Sequence, residues 1–158
     1  MIELKKITWD NWRDCQKLKV TKEQENFVAS NTFTMAQSFV ALSNNEIPPM
    51  TLAITKDDTV IGLTMVFYVT AEENEDGDEP CYDICRFMID KDHQGKGYGK
   101  ESFEIILNHI KTFPLGKANE VYLSYEPENT VAKSLYASFG FVETGEIDHG
   151  EAVAKLVL

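Results

Sequence analysis

Apolar residues recur along this chain with two periods. Over residues 51–55 they alternate, placing Leu52 and Ile54 on one face, as in a half-buried strand. After Tyr98, Phe103, Ile106, Leu107 and Ile110 return at helical spacing, and Glu101, Glu104, Asn108 and Lys111 take the other face. Ile2, Leu4 and Ile7 mark a first strand, and residues 9–18 read as a short helix. Residues 21–30 and 34–42 read as two further helices, the second capped by Thr34 and the helical region closed by Pro48-Pro49. Asp57-Asp58 supplies a hairpin turn into the long apolar run 60–69, so these flanking strands are predicted to be antiparallel neighbours. A polar, acidic connection at 72–79 leads to a strand at 82–89. Residues 120–125 form another strand, 129–139 a helix ended by Gly140, and 141–147 and 152–157 a last pair of strands.

Strands interrupted by helices in this order predict an α/β (α+β) domain built around one predominantly antiparallel sheet. A chain of 158 residues can bury one substantial core, removing roughly two-thirds of its unfolded surface from water. The expectation is therefore a single domain over residues 1–158. The first residues lack an apolar core and a small-residue cleavage site, and no apolar run approaches the length of a membrane span, so the default is a cytoplasmic protein with no membrane partner. Cys15, Cys81 and Cys85 are odd in number and His93, His109 and His149 are scattered, so no metal is expected.

The most specific chemistry lies where the strand at 82–89 meets the helix beginning at Tyr98. The intervening Asp90-Lys91-Asp92-His93-Gln94-Gly95-Lys96-Gly97-Tyr98-Gly99-Lys100 places three glycines and two lysines at a helix start. The first helical turn leaves backbone N–H groups unpaired and carries partial positive charge. Gly95, Gly97 and Gly99 let an anion approach that backbone, and Lys96 and Lys100 add full charges, so a diphosphate is the natural guest. A P-loop would need Gly-x-x-x-x-Gly-Lys-Ser/Thr, which this spacing misses by one residue, and Glu101 follows Lys100. The Gly-x-Gly-x-x-Gly of dinucleotide folds is also absent, since the spacing is Gly-x-Gly-x-Gly.

Gln94-x-x-Gly97-x-Gly99 resembles the Gln/Arg-x-x-Gly-x-Gly/Ala acyl-CoA signature of the GNAT family of N-acetyltransferases. Downstream, the segment from Asn129 through Ala132, Tyr136 and Phe139 to Gly140-Phe141 resembles that family's Asn-x-x-Ala-x-x-x-Tyr-x-x-x-Gly-Phe. Asp90-Lys91 departs from the family, many members of which carry a proline just before the loop. The resemblance implies a GNAT fold with a six- or seven-stranded sheet flanked by helices. In it, the strands ending near Ile89 and Tyr125 splay apart to admit the pantetheine arm. It implies acetyl-CoA as co-substrate, bound by Phe87, Met88 and Ile89, by the loop Gln94, Gly95, Lys96, Gly97, Tyr98, Gly99 and Lys100, and by Asn129. It also implies Tyr136 as the general acid for the leaving thiolate, and homodimerisation as a family expectation.

Amine attack on a thioester needs a neutral nitrogen, whereas an alkylammonium has a pKa of about 10, so a base or a deprotonating water path is required. Asp83, on the strand that carries or approaches the base in the family, is one candidate; with undisturbed alternation it shares a face with Cys85 and Phe87. Glu126, just beyond the next strand, is the other candidate for amine contact.

With 26 acidic against 15 basic residues the formal charge is −11, which disfavours nucleic acid and favours a cationic acceptor. Glu72, Glu73, Glu75, Asp76, Asp78 and Glu79 are the densest acidic run. Residues 24–31 with Met35-Ala36-Gln37-Ser38, and Arg86-Phe87-Met88-Ile89-Asp90, resemble bacterial diamine and spermine/spermidine N-acetyltransferases. That resemblance implies a small-molecule polyamine acceptor and gives Glu23 and Glu25 a part in holding its nitrogens. Direct transfer in a ternary complex is the expected mechanism. The alternatives are an N-acetyltransferase for another amine, such as an aminoglycoside-like antibiotic or a protein amino group, and a CoA-binding regulatory module without transfer activity.

Overall fold

A computed structural model of the chain, describing residues 1–45, 47–74 and 79–158, separates the two periods into one sheet and four helices. The strands are β1 (Ile2–Lys6), β2 (Pro49–Lys56), β3 (Thr59–Val69), β4 (Cys81–Ile89), β5 (Glu120–Tyr125), β6 (Val142–Asp148) and β7 (Glu151–Val157). They run in the spatial order β1-β2-β3-β4-β5-β7-β6, with every neighbouring pair antiparallel except β4 and β5. The order of elements predicted a predominantly antiparallel sheet, and its seven strands fall within the six or seven that the family resemblance implied. Asp57 and Asp58 turn β2 into β3 with positive φ at both positions, 48° and 67°, as a two-residue hairpin with the right twist requires.

The helices are α1 (Trp12–Lys17), α2 (Asn31–Ser43), α3 (Tyr98–Ile110) and α4 (Thr130–Ser138). On one side of the sheet, Phe103, Ile106, Leu107 and Ile110 of α3 pack with Ile54, Ile61, Tyr82, Ile84, Val121 and Leu123 from the strands; Leu135 and Tyr136 of α4 join them. Burial of each large α3 side chain is worth about 1.5–3 kcal/mol, which fixes the helix whose first turn carries the glycines. On the other side Cys15 of α1, with Met35 of α2 at its edge, packs with Ala53, Leu63 and Met88 in a smaller cluster.

Three helix expectations change. The first helix starts at Trp12 rather than residue 9, because Asn11 accepts from Thr8 N (2.8 Å) and donates to Lys6 O (2.9 Å), holding a turn there. Residues 21–30 do not form a helix: only Lys22–Gln24 makes a 3-10 turn. Apolar Phe27, Val28 and Ala29 are consecutive rather than helically spaced, so a helix would leave part of the run facing water. The next helix begins earlier than residue 34. Ser30 is its cap, accepting from Phe33 N at 3.1 Å, and Asn31 is buried and donates to Cys15 O at 2.8 Å, leaving Thr34 inside the helix. Of the acidic run, Glu75, Asp76 and Asp78 lie outside the described residues.

Candidate functional site

Among the described residues the only parallel pairing is short: Cys81, Tyr82 and Asp83 of β4 match Glu120, Val121 and Tyr122 of β5, and beyond them the strands part. The opening belongs to a cavity of about 820 Å³ running from the glycine loop past the ends of both strands. Phe87, Met88, Ile89, Gln94, Gly95, Gly99, Asn129, Tyr136, Asp83 and Glu25 all line it, so the structure gathers ten of the expected site residues around one space. Glu126 does not line it. Lys96 and Tyr98 instead border a shallower hollow of about 310 Å³ with Lys56, and Gly97 and Lys100 line neither.

Gly97 is the N-cap of α3 with φ +83°, and Gly95 has φ +72°, a left-handed backbone in which a side chain is strained. A methyl added at either position would meet nothing within 4 Å, so the glycines serve backbone shape and leave open space in front of it. The N–H groups of residues 95–100 donate to no other described residue. Six free donors at the dipole-positive end of a 13-residue helix suit a diphosphate, and Lys100 stands exposed beside them. The missing proline is explained by Asp90, whose buried carboxylate accepts from Lys19 N (2.9 Å) and Asp92 N (3.1 Å) and so turns the chain by hydrogen bonds. The Gln94 amide serves neighbouring protein groups, donating to Ile89 O and to Gln24 Oε1, each at 2.9 Å. Asn129 caps α4 through Oδ1, which accepts from Ala132 N at 3.2 Å.

Strand alternation does not hold in β4, and this corrects the expected placement of Asp83. Met65 pairs with Arg86 while the next residue, Val66, pairs with Ile84, so Cys85 is the extra residue of a β-bulge. Tyr82 and Ile84 before the bulge, and Phe87 and Ile89 after it, face α3 and α4; Met88 belongs to the opposite cluster, and Arg86 reaches Gln37 of α2. Asp83 therefore faces the α2 side, across the sheet from Phe87. Alternation in β5 and β7 puts Ser124 and Glu151 on that side too, since Leu123, Tyr125, Ala152 and Ala154 all belong to the α3 and α4 cluster. The Ser124 hydroxyl donates to Glu151.

Tyr136 approaches the opening from the other side. Its ring stands 5.0 Å from Phe103, 5.7 Å from Tyr125 and 6.2 Å from Phe141, centroid to centroid, and its hydroxyl bonds to no described residue. Burial, with Glu151 adding to it, pushes its pKa well above that of a free phenol, so Tyr136 stays a proton-bearing donor at neutral pH. Burial likewise lifts Asp83 to about 6, with Asp148 and Glu151 adding to the rise and Arg86 opposing it. The same cause lifts the Cys85 thiol to about 11.

Sequence reasoning did not single out Asp148 and Glu151, which reach the cleft only because β7 lies beside β5 and turns the β6–β7 hairpin over its end. In the sequence, Asp148-His149-Gly150-Glu151 reads as an ordinary exposed turn. Arg86 was visible within the Arg86-Phe87-Met88 run but received no role. Its guanidinium donates to Cys85 O at 2.9 Å and to Gln37 Oε1 at 3.4 Å, while Nε is buried without a partner. Among the described residues no cluster of His, Cys, Asp or Glu could hold a metal ion, and no helix is long and apolar enough to cross a membrane.

Comparison with known proteins matches these features. Residues 3–141 match the Acetyltransferase (GNAT) family. The chain is 31% identical over 153 residues to the spermine/spermidine N(1)-acetyltransferase of Bacillus subtilis (strain 168), an overlap covering 96% of this chain and 95% of the relative. The fold resembles spermidine N-acetyltransferase from Vibrio cholerae, solved with CoA and spermine, at a TM-score of 0.70 and 17% identity over 99% of this chain and 94% of that one. It also resembles aminoglycoside acetyltransferase AAC(6')-Ib, solved with coenzyme A, at a TM-score of 0.73 and 13% identity over 99% and 95% of the two chains. Motif, splayed sheet and match across most of its length together make this chain a member of the GNAT family of acetyltransferases.

Proposed function

We propose that this protein is an acetyl-CoA-dependent N-acetyltransferase that acetylates a polyamine by direct transfer in a ternary complex. The observation that carries this reading is one cavity with free backbone donors at one end, a phenol on one side of the sheet, and the carboxylates of Asp83, Asp148 and Glu151 on the other. The N–H groups of residues 95–100 would hold the diphosphate, and the unpaired edge of β4 from Phe87 to Ile89 would hold the pantetheine arm. When bound, acetyl-CoA supplies an activated acetyl group as a thioester.

Asp83 takes the proton from the acceptor ammonium as base. The freed nitrogen bonds to the acetyl carbon, the C–S bond breaks, Tyr136 hands its proton to the departing thiolate, and the extra proton still on the new amide nitrogen leaves to solvent, from which the Tyr136 phenolate is reprotonated. A phenol with a raised pKa is a weak acid, but burial raises a thiol in the same cavity too, as Cys85 at about 11 shows, so the more basic thiolate offsets part of the phenol's rise. That same shift leaves Cys85 almost wholly protonated at neutral pH and a poor nucleophile, which supports direct transfer over an acyl-cysteine. Several carboxylates along one wall suit an acceptor with more than one ammonium. Cys15, Cys81 and Cys85 form no disulfide among the described residues, which fits a reducing, cytoplasmic setting.

A thiol-release assay with acetyl-CoA and spermine, spermidine, putrescine, aminoglycosides and peptide amines tests this reading. Turnover concentrated on the polyamines is expected. A strong preference for an aminoglycoside or a peptide would overturn the substrate assignment, and CoA binding without thiol release from any amine would make the protein a binding module.

A further inference from the structure

The acceptor side of the cavity has little regular structure of its own. Residues 18–30 hold a single 3-10 turn, yet they supply Val20, Gln24, Glu25, Phe27 and Val28 among its lining. A wall of this kind takes its shape from whatever it is tied to. Here the ties run to the glycine loop. Lys19 N donates to Asp90 Oδ1 (2.9 Å), and Lys91 N donates to Lys19 O (2.8 Å). Gln24 and Gln94 then bond amide to amide in both directions, Gln24 Nε2 to Gln94 Oε1 at 3.2 Å and Gln94 Nε2 to Gln24 Oε1 at 2.9 Å.

The amide pair is closely determined. Gln94 Nε2 also donates to Ile89 O (2.9 Å), so both of its protons are used, one on the end of β4 and one on the acceptor wall. Gln24 Oε1 also accepts from Thr21 N (3.2 Å), so both of its acceptor sites are used, one within the wall and one on the loop. Breaking the pair strands partners at both ends, in a half-buried site where an unmet donor or acceptor is costly. Phe27 N donates to Gln24 O (2.9 Å), which carries the constraint on toward Phe27 and Val28.

We propose that Gln24 is a positioning residue that couples the two halves of the site: occupation of the glycine loop by the CoA diphosphate fixes Gln94, and Gln94 through Gln24 orders residues 20–29 for the acceptor. The proposal rests on CoA binding at residues 95–100, and only on that part of the functional reading; it does not depend on which amine is used. Linkage makes the effect reciprocal, so an acceptor strengthens CoA binding by the same factor.

Hydrogen exchange with CoA as the only added ligand tests it. In the wild-type protein CoA is expected to slow exchange at residues 95–100 and, by about tenfold, at residues 24–27 as well. In Gln24→Ala, and in the similarly sized Gln24→Met, slowing at 95–100 remains and slowing at 24–27 is lost. If CoA protects 95–100 but not 24–27 in the wild type, or protects 24–27 equally in both variants, the coupling is refuted. If CoA fails to protect 95–100 in the wild type, the functional reading fails instead. In turnover assays the variants are expected to raise KM for the acceptor and, by the same reciprocity, KM for acetyl-CoA at saturating acceptor, each about fivefold, with kcat within about twofold of wild type; an unchanged acceptor KM would also overturn the proposal.

Discussion

The two sides of the sheet meet at the cleft but are held in different ways. On the α3 and α4 side, Tyr136 is set by aromatic packing against Phe103, Tyr125 and Phe141, and the glycine loop by the buried face of α3. On the α2 side, Asp83, Ser124, Glu151, Arg86 and Gln24 are held through a bulge, a hairpin and side-chain hydrogen bonds. A packed aromatic or helix can lose a polar atom and keep its place. A hydrogen-bonded wall shifts when one partner goes, and changes of charge on it alter its neighbours' proton affinity. The packed side should therefore show its mutational effects in kcat, and the bonded side chiefly in acceptor KM and pH dependence.

The largest expected effect is on the packed side. Tyr136→Phe keeps the ring in its cluster and removes only the hydroxyl, so kcat should fall about a hundredfold or more while KM for acetyl-CoA stays close to wild type. Steady-state kinetics read this, and wild-type turnover would remove the acid role.

Asp83→Asn should follow, with a loss of about tenfold to a hundredfold in kcat/KM at neutral pH. In the wild type kcat/KM should rise with pH through about 6 as Asp83 ionises, and the variant should lose that limb. The stability change has a definite sign. The folded pKa of about 6 lies above the ordinary 3.8, so between these values the folded protein binds more protons than the unfolded chain. This carboxylate's contribution to stability therefore falls as pH rises from about 4 to 6, and urea melts across that range should show the slope shrink in the variant.

Glu151→Gln is a smaller change. It should raise acceptor KM about fivefold, the loss of one partly solvated charge contact of roughly 1 kcal/mol. Because Glu151 raises Asp83, the acid limb in kcat/KM should also move to lower pH. The smallest effect falls on the loop: Gly97→Ala forces a side chain into φ +83° and should cost about 1–2 kcal/mol of stability, read by urea melts, with weakened CoA binding.

The packed side is also the one the sequence shows. Phe103, Ile106, Leu107 and Ile110 place α3, and its glycines announce an anion site, because burial and backbone freedom leave local patterns. The antiparallel hairpin at Asp57-Asp58 and the start of β4 are legible for the same reason. The bonded side depends on contacts distant in sequence. The bulge at Cys85, which moves Asp83 to the other face from Phe87, is set by register against β3 and leaves no mark in the strand's composition. Gln24 meets Gln94, 70 residues away, and Glu151 reaches Ser124 only through the β5-β7-β6 order. The false helix over residues 21–30 has the same origin, since the Gln24 side chain in its middle bonds to the loop rather than to water.

A crystal structure of the dead-end complex with CoA and spermidine tests the central claim most directly. The account predicts the diphosphate on the N–H groups of residues 95–100, the thiol within hydrogen-bond reach of the Tyr136 hydroxyl, and an amine nitrogen across the sheet among Asp83, Asp148 and Glu151. An amine on the α3 and α4 side, or a thiol out of reach of Tyr136, would contradict it.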